Sequence, residues 1–428
     1  MSRPSPPPPK PDLRAHRDGW GGLALAVGLL AAVLAVWGLP MLIVVLAVIG
    51  MIFLHEMGHF VAARAAGMKV TEFFLGFGPR LWSMRRGDTV YGLKAIPAGA
   101  YVRIIGMNNL EEVAPVDEHR TYRSKPYWRR MSVAVAGSTV HFLLALVLIF
   151  SFLVVGGRTQ SVPSPDWAVS QVVSGSPAHR AGLLPGDRIV SVDDIAVANM
   201  EDMAGLLPGP GATVSLGVER GSSLLVRSLV LDVHPGDSSR GYIGIGSRSA
   251  WSSQSVDVGY LEAAGETLEE FGFLVKESVY GIARFFSPSG LSSFFRNVAD
   301  QTAPDAVAPA GGGIPVAAPA DAQDRVVSIF GALRIGADLT ESGYGNLLLF
   351  LALLNVFIGV FNMIPLLPLD GGHVVIATYE RLRSWRGNRY TADVTKMVPV
   401  AYAVILILVF VFIGSVYLDL TDPVRLPS

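Results

Sequence analysis

The sequence contains no cysteine. That excludes disulfides, thiol catalysis and every thiolate metal site, so any metal must be held by histidine or carboxylate. It does not decide the redox compartment. Charge is also scarce. Asp, Glu, Lys and Arg make up 16% of the 428 residues, against about 25% in a typical soluble domain. Mean hydropathy is +0.44. A soluble globule of this length would not carry so few charges, and the same composition excludes disorder as the dominant state. Formal net charge is −1, so no basic field points to nucleic acid. No G-x-x-x-x-G-K-[ST] occurs, so ATP drive is not indicated.

The apolar residues come in blocks. No charged residue occurs over residues 19–54, 131–157, 342–369 or 397–418. A spanning helix needs about 20 residues. The last three blocks are each long enough for one span, and the first is long enough for two. Gly38-Leu39-Pro40 interrupts the first, a helix-breaking signal. The expected architecture is a polytopic α-helical membrane protein. Its spans are 40–66, 131–157, 342–373 and 397–418, with a candidate extra helix at 21–39. That extra block follows Arg3, Lys10, Arg14 and Arg17, which also describes a secretory signal peptide. Trp37-Gly38-Leu39-Pro40 is a poor cleavage site, which favours a retained helix.

Lysine and arginine bias sets the expected threading. The segment 67–130, with Arg64 just before it, is rich in Lys and Arg relative to Asp and Glu. The loop after Asp370 carries Arg381, Arg383, Arg386, Arg389 and Lys396. Both segments and the tail 1–20 read as cytoplasmic. The long stretch between Arg158 and Glu341 then lies outside.

His55-Glu56-Met57-Gly58-His59 is an H-E-x-x-H motif, expected by chance roughly 0.005 times at this composition. On a helix the two histidines lie one turn apart on one side, a spacing that lets both bind one Zn²⁺. Glu56 lies beside them and can take a proton from a water on the metal. The rival reading is a pair of core histidines with a stray glutamate. Yet Glu56 follows a long apolar run, and an ionisable group at membrane depth costs roughly 2.5–3.5 kcal/mol. Three such groups within five residues call for a reason, and a metal supplies one. A catalytic zinc needs a third protein ligand. Asp370 is the outstanding candidate, within Asn362-Met363-Ile364-Pro365-Leu366-Leu367-Pro368-Leu369-Asp370-Gly371-Gly372. The threading puts it at the depth of His55 and His59. The bland alternative is a helix-end carboxylate at the interface.

With these two motifs, the sequence resembles the site-2 protease family of intramembrane zinc metalloproteases. The likeness is to the bacterial branch that cleaves membrane-anchored anti-sigma factors. It implies that His55, His59 and Asp370 bind zinc and that Glu56 activates water. It implies that Asn362 and Pro365 line the cleft and help unwind the substrate helix. Phe77–Trp82 and Ile96–Val102, which include Gly99 and Tyr101, look like the family's membrane-associated β-hairpin. Gly99 and Tyr101 would then contact an unwound substrate by β-addition; a plain cytoplasmic hairpin is the alternative. Ser176–Val192 looks like the signature of a PDZ domain, expected at 165–246 in one copy. It would filter or bind substrate, or act only as a spacer. The resemblance implies membrane-spanning protein substrates, possible anti-sigma factors among them, and a bacterial inner-membrane location with the PDZ-like domain outside.

One departure stands out. The second span should open with glycine-x-x-x-asparagine, but reads Gly137-Ser138-Thr139-Val140-His141. His141 either hydrogen-bonds near the cleft as the amide would, or approaches the metal. His373 reads as a neighbour of the site and not a ligand. Residues 254–300 have the pattern of an amphipathic helical region, with helical spacing over Leu261–Phe286 that suits a helix on the outer membrane surface or equally a plain packing helix, and 301–323 of a flexible Ala/Pro/Gly loop. Two competing functions remain. One is a zinc peptidase of another family with a helical Glu as third ligand. The other is a non-enzymatic scaffold built on the PDZ-like domain, which leaves H-E-x-x-H unexplained.

Overall fold

The computed structural model describes residues 19–107, 111–163, 167–234, 237–248, 251–300, 328–341, 343–384 and 390–421. Most of the tail expected at 1–20 and the whole loop expected at 301–323 lie outside the described residues.

The chain opens with α1 (Gly19–Ala65). The extra helix and the first span expected from sequence are two helices that meet at a kink, where Gly38 takes the non-helical φ 81° and ψ −179°. Two long antiparallel strands follow, β1 (Val70–Arg86) and β2 (Thr89–Ile104). They do not make a plain hairpin. Phe73, Phe74 and Leu75 of β1 each pair with two residues of β2, one from Tyr91–Leu93 and one from Ala100–Val102. Each strand is therefore bent into two segments, and the order across the sheet is 100–104, 70–77, 90–96, 80–86. The bends fall at Gly76, Gly78 and Pro79 in β1 and at Pro97 and Gly99 in β2, residues that interrupt strands.

Next come α2 (Tyr127–Ala134) and α3 (Ala136–Gly156), separated by Val135 alone. The span expected at 131–157 thus begins within a separate short helix.

Residues Gly157–Asp257 form a second compact unit. Its elements in order are β3 (Arg158–Pro163), β4 (Ala168–Val172), α4 (Pro177–Arg180), β5 (Arg188–Val192), β6 (Ile195–Ala196), α5 (Met200–Leu206), β7 (Thr213–Arg220), β8 (Ser223–Val230), β9 (Asp232–His234), β10 (Asp237–Tyr242), β11 (Ile245–Arg248) and β12 (Trp251–Val256). A four-stranded sheet runs β6-β5-β7-β8, β11 pairs with β4, and β12 pairs with β3. Trp167, Ile189, Leu216, Val218 and Leu231 are among the side chains of its core. Asp187 is buried at the start of β5. Its carboxylate accepts Arg220 Nε and Nη2 at 2.7 Å each and the Leu184 amide at 2.8 Å. The Gly186-Asp187 of the sequence signature thus has a structural task.

The chain then continues with α6 (Tyr260–Phe285), α7 (Pro288–Asp300), α8 (Ile329–Glu341), α9 (Tyr344–Asn362), α10 (Asp370–Arg383) and α11 (Val398–Thr421). The amphipathic region expected at 254–300 starts later, because β12 occupies its first residues. α8 falls where the sequence reading placed no element. The span expected at 342–373 is a helix only as far as Asn362, because Pro365 and Pro368 cannot continue it. A turn follows, and α10 starts afresh at Asp370 and runs past 373. Among the described residues, four helical stretches are long and apolar enough to cross a membrane: Ala24–Ala65, Ala136–Gly156, Tyr344–Asn362 and Thr395–Asp419.

α3 and α9 pack along a common seam with α6, through Ala145, Ile149, Ala263, Leu274, Ala352 and Val356. The sheet is fastened to α1 by aromatic rings. Phe73 lies 5.5 Å from Phe53 and 5.3 Å from Phe60, and Tyr91 lies 5.8 Å from Phe60. Phe53 and Phe60 flank the H-E-x-x-H turn, so this packing places β2 beside it.

Candidate active site

His55 and His59 stand on consecutive turns of α1 and are 8% and 5% exposed. Asp370 is the first residue of α10, and its side chain is 16% exposed. Three atoms of these residues converge. His59 Nε2 is 3.2 Å from His55 Nε2 and 3.2 Å from Asp370 Oδ2, and His55 Nε2 is 3.5 Å from Asp370 Oδ2. Among the described residues, these three form the His/Asp/Glu group able to hold a metal ion.

The triangle fits zinc. Donors at 2.0–2.1 Å from a tetrahedral zinc stand about 3.3 Å apart. The set of two imidazole nitrogens and one carboxylate oxygen is one that zinc uses at catalytic centres. Asp370 Oδ2 is also buried with no hydrogen-bond partner. An orphaned carboxylate oxygen at this depth is costly unless a cation satisfies it.

The tautomer of His59 follows from its neighbour. Its Nδ1 is 2.8 Å from the carbonyl oxygen of Val133. A carbonyl only accepts, so Nδ1 carries the proton and the lone pair of Nε2 faces the other two donors. Val133 lies in the last turn of α2, where helical carbonyls lack partners within the helix. The histidine supplies one.

Gly137, near the start of α3, closes the other side. A Cβ there would stand 2.3 Å from His55 Cε1 and 2.5 Å from His59 Nε2, so any other side chain would displace the imidazoles. At Gly371 a Cβ would meet the carbonyl oxygens of Met363 and Ile364 at 2.3 Å. The start of α10 can lie against the preceding turn because that residue is glycine.

Glu56 is part-buried next to the histidines, and the backbone of Val102 on β2 lies near enough to act on its carboxylate. The sheet segment 100–104 therefore borders the site. Among the described pairings it is held on one side only, by 70–75. Gly99 is buried at the head of this segment, with φ 154°; a Cβ would stand 2.5 Å from Phe77 Cε2. Tyr101 stacks on Phe74 and Phe77 at 5.7 and 6.2 Å and donates its hydroxyl to Glu72. Burial, and then the Glu72 carboxylate, push its phenol up to about 12. Asn362 ends α9, part-buried, and Pro365 is exposed in the turn before α10.

His141 is buried with its ring 5.0 Å from that of His55. Its Nδ1 is 2.8 Å from Asn355 Oδ1 on α9, so its hydrogen bond joins α3 to α9. The hydrogen bond to Asn355 and the approach to His55 both occur. His373 meets the ring of Tyr122 edge-on at 6.3 Å. The Val133 carbonyl and Asn355 are contributors that sequence reasoning missed. A backbone carbonyl carries no residue-type signal, and Asn355 lies in a span read only as apolar. In sequence Gly137 is part of a glycine-x-x-x pattern, which does not reveal it as a wall of the site.

The family model described as "Peptidase family M50" matches residues 43–408. The chain is 33% identical over 410 residues to "Zinc metalloprotease Rip1" of Mycobacterium tuberculosis, covering 89% of this chain and 97% of that protein. It is 29% identical over 427 residues to the protein of the same description from Mycolicibacterium smegmatis, covering 91% and 99%. A crystal structure of the PDZ domain of an SdrC-like protein from Listeria monocytogenes covers 20% of this chain and 90% of that chain. Its identity is 21% and its TM-score 0.18.

Proposed function

Because the chain belongs to peptidase family M50, the site-2 proteases, we propose that it cuts single-span membrane proteins within or near their spanning helix. It is a zinc metalloendopeptidase and a multi-pass membrane protein. The observation that carries the finer reading is the convergence of His55, His59 and Asp370, with Glu56 between the two histidines in sequence.

His55 Nε2, His59 Nε2 and Asp370 Oδ2 hold the metal in this reading. Zinc bound there supplies Lewis-acid polarisation and lowers the pKa of a water. Glu56 takes a proton from the attacking water on a carboxylate oxygen and delivers it to the leaving amine nitrogen. The Val133 carbonyl keeps the His59 proton on Nδ1. A target helix must be unwound before its peptide bond is reachable. The one-sided strand segment 100–104, with Gly99 and Tyr101, offers main-chain groups to an extended substrate. Asn362 and Pro365 line the cleft where α9 gives way to a turn. Irregular backbone at membrane depth is tolerated where it lines such a cavity.

The substrate class extends to anti-sigma factors already trimmed outside the membrane. The unit at 157–257 acts as a PDZ-like domain on the outer face of a bacterial inner membrane, admitting trimmed substrates. The test compares membrane proteomes of cells carrying the wild type and Glu56→Ala. Single-span proteins should accumulate as truncated stubs in the variant. Identical proteomes would refute the reading.

A further inference from the structure

We propose that α2 is a brace shared by both halves of the metal site, and that the Arg130–Glu380 ion pair holds Asp370 in place through α10. The proposal rests on the zinc reading above.

Arg130 Nη1 lies 2.6 Å from Glu380 Oε2, with side chains only 14% and 6% exposed. Charges at such burial are costly unless well paired. The other Glu380 oxygen accepts the Ala392 amide at 2.7 Å, so both oxygens of the carboxylate are engaged. The Arg130 guanidinium lies over the ring of Tyr122 at 5.1 Å, and the Tyr122 hydroxyl donates to the Arg130 carbonyl at 3.3 Å. The same ring meets His373, one helical turn beyond Asp370. Tyr127 and Thr378 hydroxyls, 3.4 Å apart, add a second link between α2 and α10.

One turn along α2 from Arg130 stands Val133, whose carbonyl orients His59. Both ligands thus take their position from the same short helix, His59 through Val133 and Asp370 through Arg130 and Glu380. Asp370 needs such a support. It follows an irregular turn at 363–369, so the straight axis of α9 does not place it. Arg130 and Glu380 are positioning residues for the ligand triangle.

The test uses full-length protein in detergent: wild type, Glu380→Gln, Arg130→Lys, and Asp187→Asn as a control that perturbs only the unit at 157–257. Zinc affinity of the folded, monodisperse fraction is measured by chelator competition, and kcat and KM at saturating zinc. Glu380→Gln should weaken zinc binding by about tenfold or more, the scale seen when groups supporting metal ligands are removed. Arg130→Lys, which keeps the charge and loses the planar fork, should weaken it less. Asp187→Asn should leave it unchanged. Affinity of folded Glu380→Gln within about twofold of wild type would overturn the brace, since a merely structural pair would alter folding and not affinity. Should that variant not fold, unchanged affinity in Arg130→Lys overturns it equally. A wild type that binds no zinc would refute the functional reading itself, and the brace with it.

Discussion

A Cβ on Gly137 would stand 2.3 Å from Cε1 of His55. The glycine is a wall of the site, and its lack of a side chain makes room for both imidazoles. Gly137→Ala should therefore fold and insert but bind zinc at least about tenfold more weakly, the scale of lost support around metal ligands. Metal content after dialysis against a weak chelator measures this. Full zinc in the alanine variant would show that α1 and α3 separate easily there.

Asp370 is the third corner of the donor triangle. Removing it leaves two histidines, one ligand short of a catalytic zinc site. Asp370→Ala should lose most bound zinc and all measurable peptidase activity. Elemental analysis decides it, and it also separates this reading from a zinc peptidase whose third ligand is a glutamate. Retained stoichiometric zinc would favour that rival.

The unit at 157–257 should respond to acid through Asp187. The Arg220 guanidinium, and the Leu184 amide after it, hold this carboxyl below the usual carboxylate range, against the opposing effect of burial. A carboxyl depressed in the folded state stabilises it fully above the unfolded value of about 3.9. That contribution is lost as pH falls through the folded value. Protection of β5 and β7 from hydrogen exchange, corrected for intrinsic rate, should drop as pH falls below the unfolded value and through the depressed folded one. In Asp187→Asn that pH dependence should shrink, with protection already low at neutral pH.

The residues of the site were readable as chemistry because their side chains are unusual where they stand. Ionisable groups inside apolar runs need a reason, and the proposed metal would give His55, Glu56, His59 and Asp370 a common one. The bend at Asn362 was readable from Pro365 and Pro368. What stayed hidden was pairing between distant segments. The sheet looked like a hairpin because the alternation of β1 and β2 does not say that 70–75 is flanked on both sides. α8 lay outside the apolar blocks that guided the reading. The Val133 carbonyl exists in every residue, so only the fold reveals that it meets His59. Arg130 and Glu380 looked like ordinary cytoplasmic charges until α2 and α10 were seen side by side.

In the proposed mechanism Glu56 moves the proton while His55, His59 and Asp370 hold the metal. Purified wild type and Glu56→Ala, both analysed for zinc and both given a single-span substrate in detergent, test it most directly. The variant should hold zinc at the wild-type ratio and cleave at least about 10²-fold more slowly, the minimum expected for loss of a general base. Cleavage by the zinc-loaded variant at the wild-type rate would rule out this role for Glu56.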